Sequence, residues 1–285
     1  MSASEITRRS LAGAGAGLAL GLGGAGPAPR RVVSLNPCLD VILFHVAAPG
    51  QVAALTHYAR DPQASTLAQA ARHIPVTHET AEEVVALRPD LVLMSEHSAL
   101  ATRNALTRLG VRLALFDVPQ TIAASLAQVR QVAALLGRAR AGEALVARIE
   151  TALLAASPPP GARPITALVY QPNGFAAGAG TLTDEMMRRT GFENVAARYG
   201  LGRWGNIALE QIIADPPEVL LAGEAVPGAP TWADRVLNHP ALRRMSHRMR
   251  REAFPQRLLY CGGPVLIETA ATLARARRNV LEARA

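Results

Sequence analysis

Lysine is absent from this chain, so all 30 basic residues are arginine; against 22 acidic residues they leave a formal net charge of +8. That charge alone does not make a nucleic-acid surface. The arginines are scattered, and the one dense run is Arg243, Arg244, Arg248, Arg250 and Arg251. Cysteine is nearly absent as well. Cys38 and Cys261 are the two present, which excludes a Cys-x-x-Cys metal or redox motif. Two cysteines in an oxidising compartment can pair, but their spacing does not say whether the Cα atoms approach. A disulfide, two free thiols and a soft metal contact stand as alternatives. No Gly-x-Ser-x-Gly elbow and no His-Glu-x-x-His helix occurs. An enzyme using Cys38 or Ser34 as nucleophile and His57 or His97 as base would therefore lack its usual frame. Disorder is excluded too, because 49% of the 285 residues are hydrophobic, enough for one large or two smaller cores.

The first residues read differently from the rest. Thr7-Arg8-Arg9-Ser10-Leu11 precedes an uncharged Ala/Gly/Leu stretch to Ala25, then Gly26-Pro27-Ala28-Pro29. A basic start, a short apolar middle and a small-residue end are the marks of an export signal, here residues 1–28. The paired arginines are similar to a twin-arginine signal, with Leu11-Ala12 in place of the usual Phe-Leu. The chain is expected to be exported, soluble, periplasmic and monomeric.

After Pro29 the chain alternates strands and helices. Arg31–Leu35 is a β-branched run stopped by Asn36-Pro37. A helix-like stretch around Asp40–Val46 is followed by Gln51–Tyr58, which ends in the polar cluster His57–Pro62. Thr80 with Glu83 three residues on predicts a capping box, and Pro89 closes that helix before the apolar strand Asp90–Met94. A helix at Asn104–Leu109, capped by Gly110, leads to a strand at Val111–Phe116. From Thr121 to Ala156 the apolar spacing is helical with glycines at 137 and 142, giving either a shorter helix then a long one or one broken helix. Ser157–Gly161 is a stiff linker, after which Ile165–Tyr170 opens a second α/β run. The organisation read is 29–120 as an N-terminal lobe, 121–157 as a bridging helical region and 158–285 as a C-terminal lobe.

The second run repeats the grammar of the first. Leu168–Pro172 mirrors Val33–Pro37. Glu82-Glu83-Val84-Val85-Ala86-Leu87-Arg88-Pro89-Asp90-Leu91-Val92-Leu93 matches Glu210-Gln211-Ile212-Ile213-Ala214-Asp215-Pro216-Pro217-Glu218-Val219-Leu220-Leu221 without a gap. Each copy carries a Glu in the first helical turn, an aliphatic pair, a proline stop, an acid and a buried strand.

From about Arg30 onward, and most specifically over Thr80–Val92, the sequence resembles the periplasmic binding proteins for cobalamin, haem and ferric siderophores. The resemblance implies an α/β fold of two Rossmann-like lobes with mostly parallel sheets, joined by a long bridging α-helix, with the ligand cleft between the lobes. It implies no cofactor, a metal chelate or corrinoid as ligand, and an ABC permease dimer with its cytoplasmic ATPase as partner. In that family a surface Glu on each lobe meets permease arginines, positions that fall on Glu82 and Glu210 here. Two carboxylates on rigid helix starts would set orientation more than affinity. The plain reading of either alone is a first-turn acid complementing the helix dipole.

Ligand contacts belong beyond the carboxyl ends of the strands. That rule selects Asn36–Asp40, His57–Asp61, His78 and Ser95–His97 in the first lobe and Gln171–Phe175, Trp204 and Tyr260–Gly263 in the second, and with the family's cleft aromatics it singles out Tyr58, His78, His97, Gln171, Phe175, Trp204 and Cys261. Trp204 lies six residues before Glu210, where cobalamin-binding relatives place a contacting Trp, and Tyr58 matches a cleft Tyr. Aromatic faces suit a flat macrocycle or catecholate chelate. The histidines show no His-x-x-x-His spacing. Arg60 and Arg203 are candidate clamps for carboxylates.

Overall fold

The computed structural model describes residues 27–171, 174–223, 240 and 248–284. The expected signal, residues 1–28, lies almost wholly outside them, as do Arg243, Arg244 and Pro172.

Val32–Ser34 (β1) is completely buried, as a central parallel strand must be when helices cover both faces. Asn36 then caps helix α1, Pro37–Val46, its Oδ1 accepting from the backbone N–H groups of Cys38 (3.0 Å) and Leu39 (3.2 Å), while Pro37 takes a position that needs no N–H. The Gln51–Tyr58 stretch is strand β2, Val52–Thr56, running into a 3-10 turn at His57–Arg60. Strand β3 is Val76–Thr77, α2 is Ala81–Ala86, β4 is Leu91–Ser95, α3 is Leu100–Arg108 and β5 is Leu113–Phe116. The five strands form one parallel sheet in the order β3-β2-β1-β4-β5. The capping box is half formed. Thr80 Oγ1 accepts from Glu83 N at 3.3 Å, but the Glu83 carboxylate turns outward to accept from Thr77 Oγ1 (2.8 Å) and His78 N (2.7 Å).

The 121–156 segment is the shorter helix followed by the longer one: α4, Ile122–Leu135, and α5, Ala139–Ala156. Gly137 turns the corner at φ +69°, a conformation an L side chain resists. Gly142 permits the close approach of the two helices, since a Cβ there would lie 2.5 Å from Ala133 Cβ. Leu145, Val146, Ile149 and Leu153 face inward at helical spacing, whereas Leu154 is 70% exposed.

The second sheet is mixed. It holds β6 (Ile165–Tyr170), β7 (Phe175–Ala177), β8 (Phe192–Asn194), β9 (Trp204–Asn206), β10 (Val219–Ala222) and β11 (Arg250–Ala253), with α6 at Leu182–Arg189, α7 at Leu209–Ala214 and α8 at Val265–Glu282. Strands run β11-β10-β6-β7-β9, with β8 also paired to β6; the pairs β6–β7 and β7–β9 are antiparallel. The mirror between the two amide ends therefore stops at the strands. Asn36 caps a helix, whereas Gln171 starts the turn into β7, its N–H bonding Phe175 O at 2.8 Å.

Of three apolar clusters among the described residues, the largest joins both halves through the bridge, with Leu39 and Ile42 of α1, Val129 and Val132 of α4, Ile149 of α5, and Leu266 and Leu273 of α8. Each such buried aliphatic contributes roughly 1.5–3 kcal/mol. The two sheets are thus held by packed helices rather than by a flexible strand hinge.

Candidate ligand cleft

The carboxyl ends of β1, β4 and β5 face the β7–β9 ribbon and the loop before α8. Two pockets lie between them. One of about 360 Å³ is lined from the first lobe by Asn36, Ser95, Phe116 and Asp117, from α4 by Gln128, and from the second lobe by Phe175, Trp204 and Tyr260. The other, about 510 Å³, is lined by Pro37, Tyr58, Asp61 and Gln63 on one side and Gln256, Arg257, Tyr260 and Cys261 on the other. Cys38 and Tyr260 border both, so they form the ridge that separates the two.

The ridge is covalent. Cys38 in the first turn of α1 is disulfide-bonded to Cys261, with Cα atoms 5.0 Å apart across 223 residues of sequence. Of the alternatives left by the sequence, the pairing across the lobes is the one found, and no cysteine is free. The Tyr-Cys-Gly-Gly segment gains its reason here. Gly263 N donates to Ser125 Oγ at 2.6 Å, and a Cβ on Gly262 would lie 2.3 Å from that oxygen, so the loop can press its backbone onto α4 only without side chains.

Aromatic rings surround the ridge and face solvent. Trp204 stacks on Phe175 with centroids 5.7 Å apart and planes 9° apart, and Tyr260 leans on Phe175 at 6.3 Å. Tyr58, Trp204 and Tyr260 are 41%, 40% and 48% exposed, high for such large rings in a chain this poor in aromatics. Trp204 lies at the start of β9.

The other selected residues are placed differently. Cys261 lines the larger pocket through its disulfide. Gln171 is buried and lines neither pocket; its amide donates to Phe254 O at 3.1 Å. His97 is exposed and lines neither, but its Nε2 lies 3.1 Å from Asp117 Oδ1 at the rim of the smaller pocket. The Asp117 carboxyl is held below its usual range by the Val118 N–H and by His97. His78 also lines neither; its ring stacks on that of His57 at 4.8 Å, and its Nδ1 lies 3.4 Å from Glu83. The candidate clamps are engaged within the protein, Arg60 with Ile74 O and Arg203 with Gln120 Oε1. Sequence reasoning placed Tyr260 in the cleft, where it lines both pockets, and missed Asp117 and Arg257 as lining residues.

Behind Tyr58 lies a buried polar group. Asp40, fully inaccessible, accepts from Thr56 N (3.1 Å) and Thr56 Oγ1 (2.6 Å), while its Oδ1 is without a partner, as are Glu79 Oε1 and His57 Nδ1. Burial raises the Asp40 carboxyl to about pKa 7, and burial raises Glu79 too. Among the described residues no three His, Cys, Asp or Glu side chains are grouped to hold a metal ion.

On the outer faces, Glu82 and Glu210 occupy the second positions of α2 and α7, both exposed and neither in an ion pair among the described residues. The duplicated element is thus duplicated in structure, each copy a six-residue helix leading to a buried parallel strand.

The family model of the periplasmic binding proteins matches residues 32–246. The chain belongs to the periplasmic binding protein family. This binding protein is therefore a solute-binding protein and not an enzyme. No curated protein sequence matches it. Among solved structures it is similar to the periplasmic haem-binding protein RhuT of Roseiflexus sp. RS-1 in apo form, with 25% identity over 88% of this chain and 98% of that one and a TM-score of 0.71. A periplasmic haem-binding protein of Pseudomonas aeruginosa (22% identity, 87% and 92% coverage, TM-score 0.68) shares the fold. So does the periplasmic vitamin B12-binding protein of Vibrio cholerae (16%, 89% and 98%, 0.63). Among the described residues no helix of the binding protein is long and apolar enough to cross a membrane.

Proposed function

We propose that this protein is exported through its 1–28 signal, captures a flat metal macrocycle of the haem type in the cleft, and delivers it to an ABC permease dimer driven by a cytoplasmic ATPase. The observation that carries this reading is the ring of Tyr58, Phe175, Trp204 and Tyr260 around the two pockets. Ring faces give a planar ligand a large apolar contact at little ordering cost. Tyr58 and Tyr260 also bring phenol oxygens of the kind that ligate ferric haem iron. The haem-binding name of the Roseiflexus relative supports the same ligand class over a corrinoid or a siderophore. Glu82 and Glu210, on matching helix starts of the two lobes, are the docking carboxylates for cationic pockets of the permease.

Titration of the purified mature protein with hemin, followed by absorbance and tryptophan fluorescence, tests the ligand. Saturable binding of one or two equivalents supports the reading. Binding no stronger than that of serum-free buffer controls, with tight binding of a ferric siderophore instead, refutes it.

A further inference from the structure

The bond between Cys38 and Cys261 crosses the middle of the cleft, between the first turn of α1 and the loop that leads into α8. It is not the only tie at this place. Gly263 N is held by Ser125 Oγ, the N–H of Ile122 at the start of α4 is capped by Glu185 Oε2 of α6 at 2.7 Å, and Arg203 of the second lobe reaches Gln120 Oε1. Hydrogen bonds can exchange with water as lobes part, each at a small net cost. A covalent bond cannot. With α4, α5 and α8 packed into one core behind it, the separation of the two walls is set at a point both pockets share. Hinge closure around a ligand, the usual way a two-lobed protein adapts its gap, needs the freedom this bond removes.

We propose that the Cys38–Cys261 disulfide is the specificity-determining element of the cleft: it fixes the gap between the lobes, so the site takes thin planar ligands and rejects macrocycles with bulky groups on either face. The inference rests on the flat-ligand reading above. Ligand then enters and leaves by movement of the exposed rings of Tyr58, Trp204 and Tyr260, with the lobes held in place. Each pocket accepts one edge of the ligand, and the sulfur ridge lies beneath its middle.

The test compares the oxidised mature protein, the same protein after dithiothreitol, and the double variant Cys38→Ser/Cys261→Ser. Dithiothreitol supplies two electrons. Its thiolate attacks one sulfur to give a mixed disulfide, its second thiol closes the reagent's ring, and Cys38 and Cys261 leave as thiols. Hemin and cyanocobalamin are the probes. The oxidised protein is expected to bind hemin and to discriminate against cyanocobalamin by about a hundredfold or more. The reduced and double-variant forms should keep hemin within a few-fold while cyanocobalamin binding rises at least about tenfold, and reoxidation of the reduced parent, but not of the variant, should restore the discrimination. Two free thiols in protein made under oxidising conditions, or equal discrimination by all three forms, would overturn the proposal. Small-angle scattering and amide exchange without ligand read the fixed gap separately. Exchange around residues 36–40 and 260–263 should quicken on reduction, and unchanged exchange defeats the proposal even if the variant folds poorly. Failure of every form to bind hemin, with exchange quickened as expected, would instead sink the flat-ligand reading and leave the fixed gap standing.

Discussion

Asp40 accepts two hydrogen bonds from Thr56, one from its backbone N–H and one from its hydroxyl, and Thr56 is the residue from which the Tyr58 turn departs. The acid is buried, and its carboxyl titrates near pKa 7, against 3.8 for an ordinary Asp. A group whose native pKa is raised favours folding while it stays protonated. Its contribution is complete below about pH 3.8 and is lost as pH rises to about 7. Asp40→Asn keeps an acceptor for Thr56 and removes the negative charge that burial penalises at high pH. The variant should match the parent at pH 4 and exceed it at pH 8 by an amount on the order of 1–4 kcal/mol, a difference readable as a higher melting temperature. Parallel melting curves at both pH values would refute the buried-acid account.

Trp204 and Tyr260 are solvent-facing, so their removal costs little in folding. Trp204→Ala and Tyr260→Ala should each weaken hemin binding by about tenfold or more while shifting the urea midpoint only slightly, within about 1 kcal/mol. The Trp204 variant should also lose most of the fluorescence quenching. Undiminished affinity in both would remove the aromatic cleft from the ligand's path.

Charge reversal at Glu82 and Glu210 separates delivery from capture. Glu82→Lys/Glu210→Lys should abolish uptake in cells and leave hemin affinity in solution unchanged, because neither carboxylate lines a pocket. Uptake at the parent rate would leave the two acids with only their helix-dipole role.

Gly142 tests the bridge. Alanine ordinarily favours a helix interior over glycine by about 1 kcal/mol, yet here its methyl would meet Ala133 on the facing helix, which is itself fully buried. Gly142→Ala should therefore destabilise by roughly 1–3 kcal/mol in urea melts, the sign opposite to that expected from propensity. A gain in stability would mean the helices part without penalty.

Legibility in the sequence followed the length and monotony of each signal. Leu91–Met94 and Val219–Leu221 were plain because parallel strands covered on both faces read as unbroken apolar runs. The helices at 122–135 and 139–156 carried a long 3.6-residue period with glycines at the corner and the contact. The ribbon of β7 and β9 was not readable, since three-residue strands such as Trp204–Asn206 hold too few positions to show alternation. The pairing of Cys38 with Cys261 was likewise beyond reach, because it depends on how α1 and the pre-α8 loop meet after both lobes have packed. Tyr58 and Trp204 were selected through family likeness, whereas Asp117 and Arg257 line pockets only because of where their loops turn, which no local pattern encodes.

The position of the two sulfurs along the chain has one more consequence. Among the described residues Cys38 stands just after the first strand and Cys261 just before the last helix, so their bond, across 223 residues of sequence, closes both lobes into one ring. The ring can be closed only after Cys261 has been made and the second lobe is present to bring it forward. Oxidation of the protein thus serves as a record of assembly: a chain that stops short of Cys261, or one whose halves have not met, cannot carry the mark.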